Sequence, residues 1–240
     1  MTVAREAGAA DLTSVRDRLA LALDVKDLAA ARALAQRLSP YFGVVKIGLE
    51  LFVAEGPAAV KALAADGFCV FLDLKMHDIP TTVERGARQA VAISASYLTV
   101  HAAGGETMLR AAVEGFGAAD GRGIGSTPGG ILAVTVLTSE TEAPASVIAE
   151  RAAMARQCGC VGVVCAASDL GVVRRVAPEL LAVVPGVRLS GTSSNEQARR
   201  ATPGAAAAAG AGLLVIGRTV SGADDPEAAA RRVAAEVASA

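Results

Sequence analysis

Short apolar runs recur along the chain, and each gives way to charged or small polar residues. The runs cover 19–23, 44–48, 68–72, 97–101, 131–137, 161–165, 181–184 and 213–216. Runs this short and this rich in Val, Ile and Leu read as buried strands. Between most of them the apolar spacing is helical. Leu28, Ala31, Leu34, Ala35 and Leu38 share one face of a helix over 27–38. Further helices are expected over 58–65, from Pro80 onward, and over 106–116, 144–158, 169–176, 203–209 and 225–237. A short capped helix is expected at 11–16 and the start of another at 196–200. The glycine-rich stretch 121–130 lacks a Lys-Ser or Lys-Thr ending, so it is no Walker loop and reads as a connector.

Eight strand candidates alternating with helices over 240 residues are the signature of a (β/α)8 TIM barrel, an α/β fold. A doubly wound open sheet would carry a glycine-rich first turn, and Asp24-Val25-Lys26-Asp27 is not one. One barrel domain over 1–240 is expected, with residues 1–10 peripheral. A hydrophobic fraction of 52% supplies a large core, and an aromatic fraction of 3% without Trp makes that core aliphatic.

A net charge of -1, without basic blocks, argues against a nucleic-acid surface. No run has the length of a membrane span, and the first residues lack the apolar centre of a signal peptide. Cys69 and Cys165 lie in apolar runs, and Cys158-Gly159-Cys160 lacks metal-site spacing. The thiols read as reduced and the compartment as cytoplasmic.

In a barrel, chemistry sits where the strands end. Those exits carry Asp24, Lys46, Asp73 with Lys75, His101, Thr138, Arg188, and Gly217 with Arg218. Strand alternation puts Asp73 and Lys75 on one face. They form either a catalytic carboxylate and ammonium or a salt bridge at the rim. Lys46 either snorkels at a strand edge or joins Asp24 and Asp73 in a pocket. Metal binding by Asp73 and Asp78 is an alternative, but two lysines in the cluster compete for those carboxylates. Asp78 lies beyond the strand, where Ile79-Pro80 fixes a turn, and it either stays with its own pocket or turns away toward a second subunit's. Arg188 and Arg218, at the seventh and eighth exits, suit a phosphate. Gly217 admits a backbone N–H to an anion, and Gln197 can donate an amide N–H. His101 reads as a hydrogen-bonding group.

Together these stretches resemble the orotidine 5'-phosphate decarboxylase family from about residue 19 to 236. The resemblance rests on LALD at 21–24, VKIGLELF at 45–52, FLDLKMHDIPTTV at 71–83, VHAAGG at 100–105, VTVLTS at 134–139, GVVCAA at 162–167, PGVR at 185–188 and VIGRTVSGADDP at 215–226. It implies a homodimeric barrel without cofactor or metal. The implied reaction converts orotidine 5'-phosphate to uridine 5'-phosphate and carbon dioxide, the last step of de novo UMP synthesis. By resemblance, Lys75 is the proton donor to C6, Asp73 faces the departing carboxylate, and Lys46 completes the charge network. Asp78 and Thr82 reach the partner's site, Asp24 contacts ribose and Thr138 the pyrimidine. Arg188, Gln197, Gly217 and Arg218 hold phosphate. The chain departs from the pattern at Thr81, where many relatives carry Asn, and in a short segment after Thr138. The rival readings are a metal-dependent sugar-phosphate lyase or synthase on the same barrel, and a non-enzymatic nucleotide-binding barrel.

Overall fold

The computed structural model describes residues 15–117, 123–125, 127–140, 143–189 and 201–240. Eight parallel strands close into a barrel in chain order: β1 (Leu19–Ala22), β2 (Val44–Ile47), β3 (Cys69–Met76), β4 (Tyr97–His101), β5 (Gly130–Val134), β6 (Gly162–Val164), β7 (Leu181–Val184) and β8 (Leu213–Ile216). Pairing of β8 with β1 completes the ring. The fold is thus the (β/α)8 barrel expected. Helices α1 (Leu28–Leu38), α2 (Leu49–Glu55), α3 (Pro57–Ala65), α4 (Pro80–Ala92), α5 (Gly105–Phe116), α6 (Ala145–Gln157), α7 (Leu170–Val176), α8 (Pro203–Ala208), α9 (Arg218–Ser221) and α10 (Pro226–Ala238) lie between and after the strands.

Strand alternation sorts the core into two layers. Ala20, Ala22, Val44, Phe71, Tyr97, Leu132, Val134, Val183 and Val215 fill the barrel interior. Leu19, Leu21, Val45, Ile47, Val70, Leu72 and Leu98 face the helices. Local chemistry sets several helix starts. The Asp27 carboxylate accepts from the Ala30 N–H at 2.8 Å, and Asp225 accepts from the N–H groups of Glu227 and Ala228. Pro80 and Pro226 stand at first helical positions, where no N–H is missed.

The structure also departs from the sequence reading. The segment 49–55 forms helix α2, which the apolar spacing after Gly48 did not single out. β5 ends at Val134 rather than 137, so Thr138 lies in the loop beyond it. The described part of 121–130 does more than connect. Ile124 enters the inner core, and its N–H donates to the Tyr97 hydroxyl at 3.0 Å. Most of the expected helix at 11–16 and all of that at 196–200 fall outside the described residues. Among the described residues, no helix is long and apolar enough to cross a membrane.

Candidate active site

Inward-facing positions at the strand exits bring four charged residues together. Lys46 continues the inner face of β2, and Asp24 lies two residues past Ala22 on the inner face of β1. Asp73 follows Phe71 on β3. The Lys46 ammonium is 3.5 Å from an Asp24 oxygen and 3.6 Å from an Asp73 oxygen. Lys75 makes the tighter pair: its Nζ donates to both Asp73 oxygens at 2.8 Å. The Lys46 and Asp73 side chains are each 12% exposed, so their attraction is weakly screened. Asp24 is 53% exposed and forms the open end of the chain of charges. Lys46 therefore faces the pocket rather than snorkelling outward.

Simple alternation does not produce this pairing. Leu72 stands opposite Leu98 and Met76 opposite Val100, so 73–75 on β3 face Thr99 alone on β4. Within this bulge Lys75 has φ +50°, a left-handed backbone that costs a lysine on the order of 1–3 kcal/mol. Bulges of this kind re-aim side chains. Asp73 and Lys75 share a side as expected, but through the bulge.

Adjoining the charge cluster, at the exits of β1, β2, β7 and β8, lies a pocket of about 180 Å³. Ala22 and Val215 line its depth, and Asp24, Lys46, Arg188, Gly217, Arg218 and Thr219 surround it. Arg188 and Arg218 thus meet at one cavity with the charge network. A Cβ on Gly217 would sit 3.5 Å from Ala22 Cβ and 3.8 Å from Asp24 Oδ2. Those are ordinary contacts, so packing has room for a Cβ here, and the missing side chain leaves pocket space. The Thr219 hydroxyl donates to the Val187 carbonyl at 3.1 Å, and the Arg188 N–H to the Ala201 carbonyl at 3.1 Å. The first bond ties the seventh and eighth loops together, and the second closes the seventh loop on itself.

Asp78 stands apart from the cluster. It is exposed, and its carboxylate accepts from the Ile79 N–H at 2.6 Å. Thr82, on the first turn of α4, and Thr138 are also exposed. Gln197 lies outside the described residues. His101, expected to form a hydrogen bond, packs its ring against His77, with centroids 5.6 Å apart. Burial, followed by the nearby His77, Lys75 and Arg151, pushes the His101 pKa down, and Glu140 opposes them. The free cysteines are not reactive candidates: burial raises Cys69 to about 11 and Cys160 and Cys165 to about 12.

Two residues that touch the charge network were missed from sequence. Thr99 donates to Asp73 Oδ1 at 2.9 Å and accepts from the Lys75 N–H at 2.8 Å. The available signal was a hydroxyl inside the apolar run Tyr97-Leu98-Thr99-Val100. Gly48 is the other. A Cβ there would lie 3.1 Å from the Lys46 nitrogen and 3.6 Å from Asp24 Oδ1. Its signal was a glycine two residues after the strand's lysine.

A closed parallel barrel with paired carboxylates and ammonium groups, and a pocket lined by two arginines at its carboxyl end, places the chain among the (β/α)8-barrel proteins, whose sites lie at that end. Comparison with known proteins narrows the class. The chain belongs to the orotidine 5'-phosphate decarboxylase / HUMPS family, whose family model it matches over residues 17–233. It is 48% identical over 231 residues to the orotidine 5'-phosphate decarboxylase of Anaeromyxobacter sp. (strain K), covering 91% of this chain and 97% of that one. Among solved structures, it resembles the orotidine 5'-phosphate decarboxylase of Lactobacillus acidophilus with a TM-score of 0.73 and 31% identity, covering 91% of this chain and 98% of that one. An uncharacterized conserved protein from Geobacillus kaustophilus is similar at TM-score 0.74 and 32% identity, over 91% of this chain and 99% of that one.

Proposed function

We propose that the protein decarboxylates orotidine 5'-phosphate to uridine 5'-phosphate and carbon dioxide, in pyrimidine synthesis, without cofactor or metal. One observation carries the reading: Asp73 is held between the Lys75 and Lys46 ammonium groups at the barrel mouth of a chain from this family. When the bond from C6 to the carboxylate breaks, its electron pair stays on C6 in the ring plane. The ring offers little resonance there, so stabilisation comes from a cation aimed at that carbon. Lys75 supplies the cation and then the proton that ends on C6. Asp73 opposes the substrate carboxylate until carbon dioxide departs without charge, so the repulsion is relieved as the bond breaks. Both Asp73 oxygens already meet ammonium groups, which disfavours a divalent ion and with it the metal-dependent sugar-phosphate reading.

Arg188, Arg218 and Gly217 take the substrate phosphate, joined by Gln197, and Asp24 takes the ribose. Thr138 serves the pyrimidine. Asp78 and Thr82 act in a partner's site within a homodimer. Exposed Leu49 and Val53, four residues apart on α2, and Ile79 beside Asp78 leave apolar surface for a second copy to cover. The compartment is the cytoplasm. The test is the loss of orotidine 5'-phosphate absorbance with purified protein, with and without EDTA. Activity unchanged by EDTA is expected; activity that EDTA abolishes would return the metal-dependent reading. Lys75→Ala should abolish turnover in a folded protein, and near-normal kcat would remove Lys75 from the chemistry.

A further inference from the structure

We propose that Thr99 is a positioning residue, whose hydroxyl holds Asp73 and the Lys75 backbone in the arrangement the reaction uses. Thr99 is fully buried on the inner face of β4. It is the one β4 residue opposite the three-residue stretch 73–75, because the register jumps between Leu72 and Met76. Its hydroxyl is engaged in both directions. The oxygen accepts the Lys75 N–H at 2.8 Å, and the O–H donates to Asp73 Oδ1 at 2.9 Å.

Each bond answers a specific demand. In a regular ladder the Lys75 N–H would point to the β2 side, as the Cys69 N–H does in bonding the Gly43 carbonyl, and the bulge turns it toward β4 instead. A partly buried N–H without a partner is costly. The threonine oxygen partners it there while Lys75 keeps its left-handed φ of +50°. The second bond fixes the rotation of the Asp73 carboxylate. With Oδ1 held by Thr99, both oxygens remain 2.8 Å from the Lys75 nitrogen and Oδ2 stays toward Lys46. A single side chain thus sets where the ammonium's strand turns and how its counter-charge is oriented. Thr99 itself acts through Asp73 and Lys75, not on substrate. The inference rests on the proposed reaction for its kinetic consequence and on geometry alone for its structural one.

The experiment compares Thr99→Val, which keeps the shape and removes the hydroxyl, with Thr99→Ser, which keeps the hydroxyl. Thr99→Val should lower kcat roughly ten- to a hundredfold, the range of a hydrogen bond to a charged group. KM should change by less than about threefold, because phosphate and ribose contacts are untouched. Thr99→Ser should restore kcat to within about threefold of wild type. The second readout is amide hydrogen exchange at Lys75, which should quicken at least about tenfold in Thr99→Val and return in Thr99→Ser. If Thr99→Val does not fold, Thr99→Ala serves as the hydroxyl-free arm. Wild-type kcat and wild-type Lys75 exchange in a hydroxyl-free variant would overturn the proposal. So would a Thr99→Ser protein as impaired as Thr99→Val, since packing would then be the cause. A wild-type protein inert toward orotidine 5'-phosphate would refute the reaction instead, and Lys75 exchange would still decide the role of Thr99.

Discussion

At the scale of single residues, the site depends on how far charged atoms can drift. Lys46 touches its two carboxylates only at 3.5–3.6 Å, long for hydrogen bonds, so a small displacement breaks the link. Gly48 guards that position. A methyl there would press on the Lys46 nitrogen from 3.1 Å, and the flexible lysine would yield rather than the backbone. Gly48→Ala should therefore cut kcat/KM by roughly ten- to a hundredfold while unfolding stability changes by less than about 1 kcal/mol. A kinetically silent Gly48→Ala would show that Lys46 tolerates displacement. His101 gives a prediction of a different kind. Its pKa is depressed in the folded protein, so below its ordinary value of about 6.5 the unfolded chain binds more protons. The stability is intact above that value and is lost as pH falls through His101's lower folded pKa. Urea midpoints at about pH 7.5 and about pH 5.5 should differ less in His101→Gln than in wild type. An equal drop in both proteins would place the acid sensitivity elsewhere.

Elements carry the site in two halves. β3 with its bulge presents the Asp73–Lys75 pair, and the exits of β7 and β8 present the arginine-lined pocket. Among the described residues, Asp24 and Lys46 belong to both halves. This division predicts separable defects. Arg218→Ala should lower kcat/KM for the phosphorylated substrate by about a hundredfold or more and leave the slow reaction of the unphosphorylated nucleoside unchanged. Equal losses on both substrates would contradict the phosphate assignment. Much of this was readable in the chain: the exit charges of β1, β2, β3, β7 and β8 stood at the ends of apolar runs. The bulge was not. Nothing in Phe71-Leu72-Asp73-Leu74-Lys75 announces a left-handed lysine, because the register shift arises from pairing with β4, a partner distant in sequence. Helix α2 was obscured for a related reason. It is short, begins directly after β2 and buries only Leu51, so its apolar spacing is faint.

For the whole molecule, the proposed homodimer sets the test. Asp78 points its carboxylate at its own backbone rather than into the charge cluster, and apolar Leu49, Val53 and Ile79 are exposed. If Asp78 serves a partner's site, two inactive variants should complement. In a mixture of Lys75→Ala and Asp78→Ala chains, random exchange makes half the dimers hybrid, and each hybrid keeps one intact site. Activity should recover to about a quarter of the wild-type value. No recovery, with exchange shown by mass spectrometry, would confine the site to one subunit.

The order of apolar runs and helical segments was enough to specify eight strands, their alternation and, Thr138 after β5 excepted, which residues stand at their exits. Those features are local, because side-chain direction follows from a strand's period of two and helix starts follow from nearby capping groups. Closure of the ring decided the rest. Only when β3 pairs with β4 does Thr99 come opposite Asp73 and Lys75, and only when β2 lies beside β1 does Gly48 make room for Lys46 between two carboxylates. Such distances of a few ångströms depend on register between strands, and register is a property of the assembled sheet rather than of any one stretch of chain.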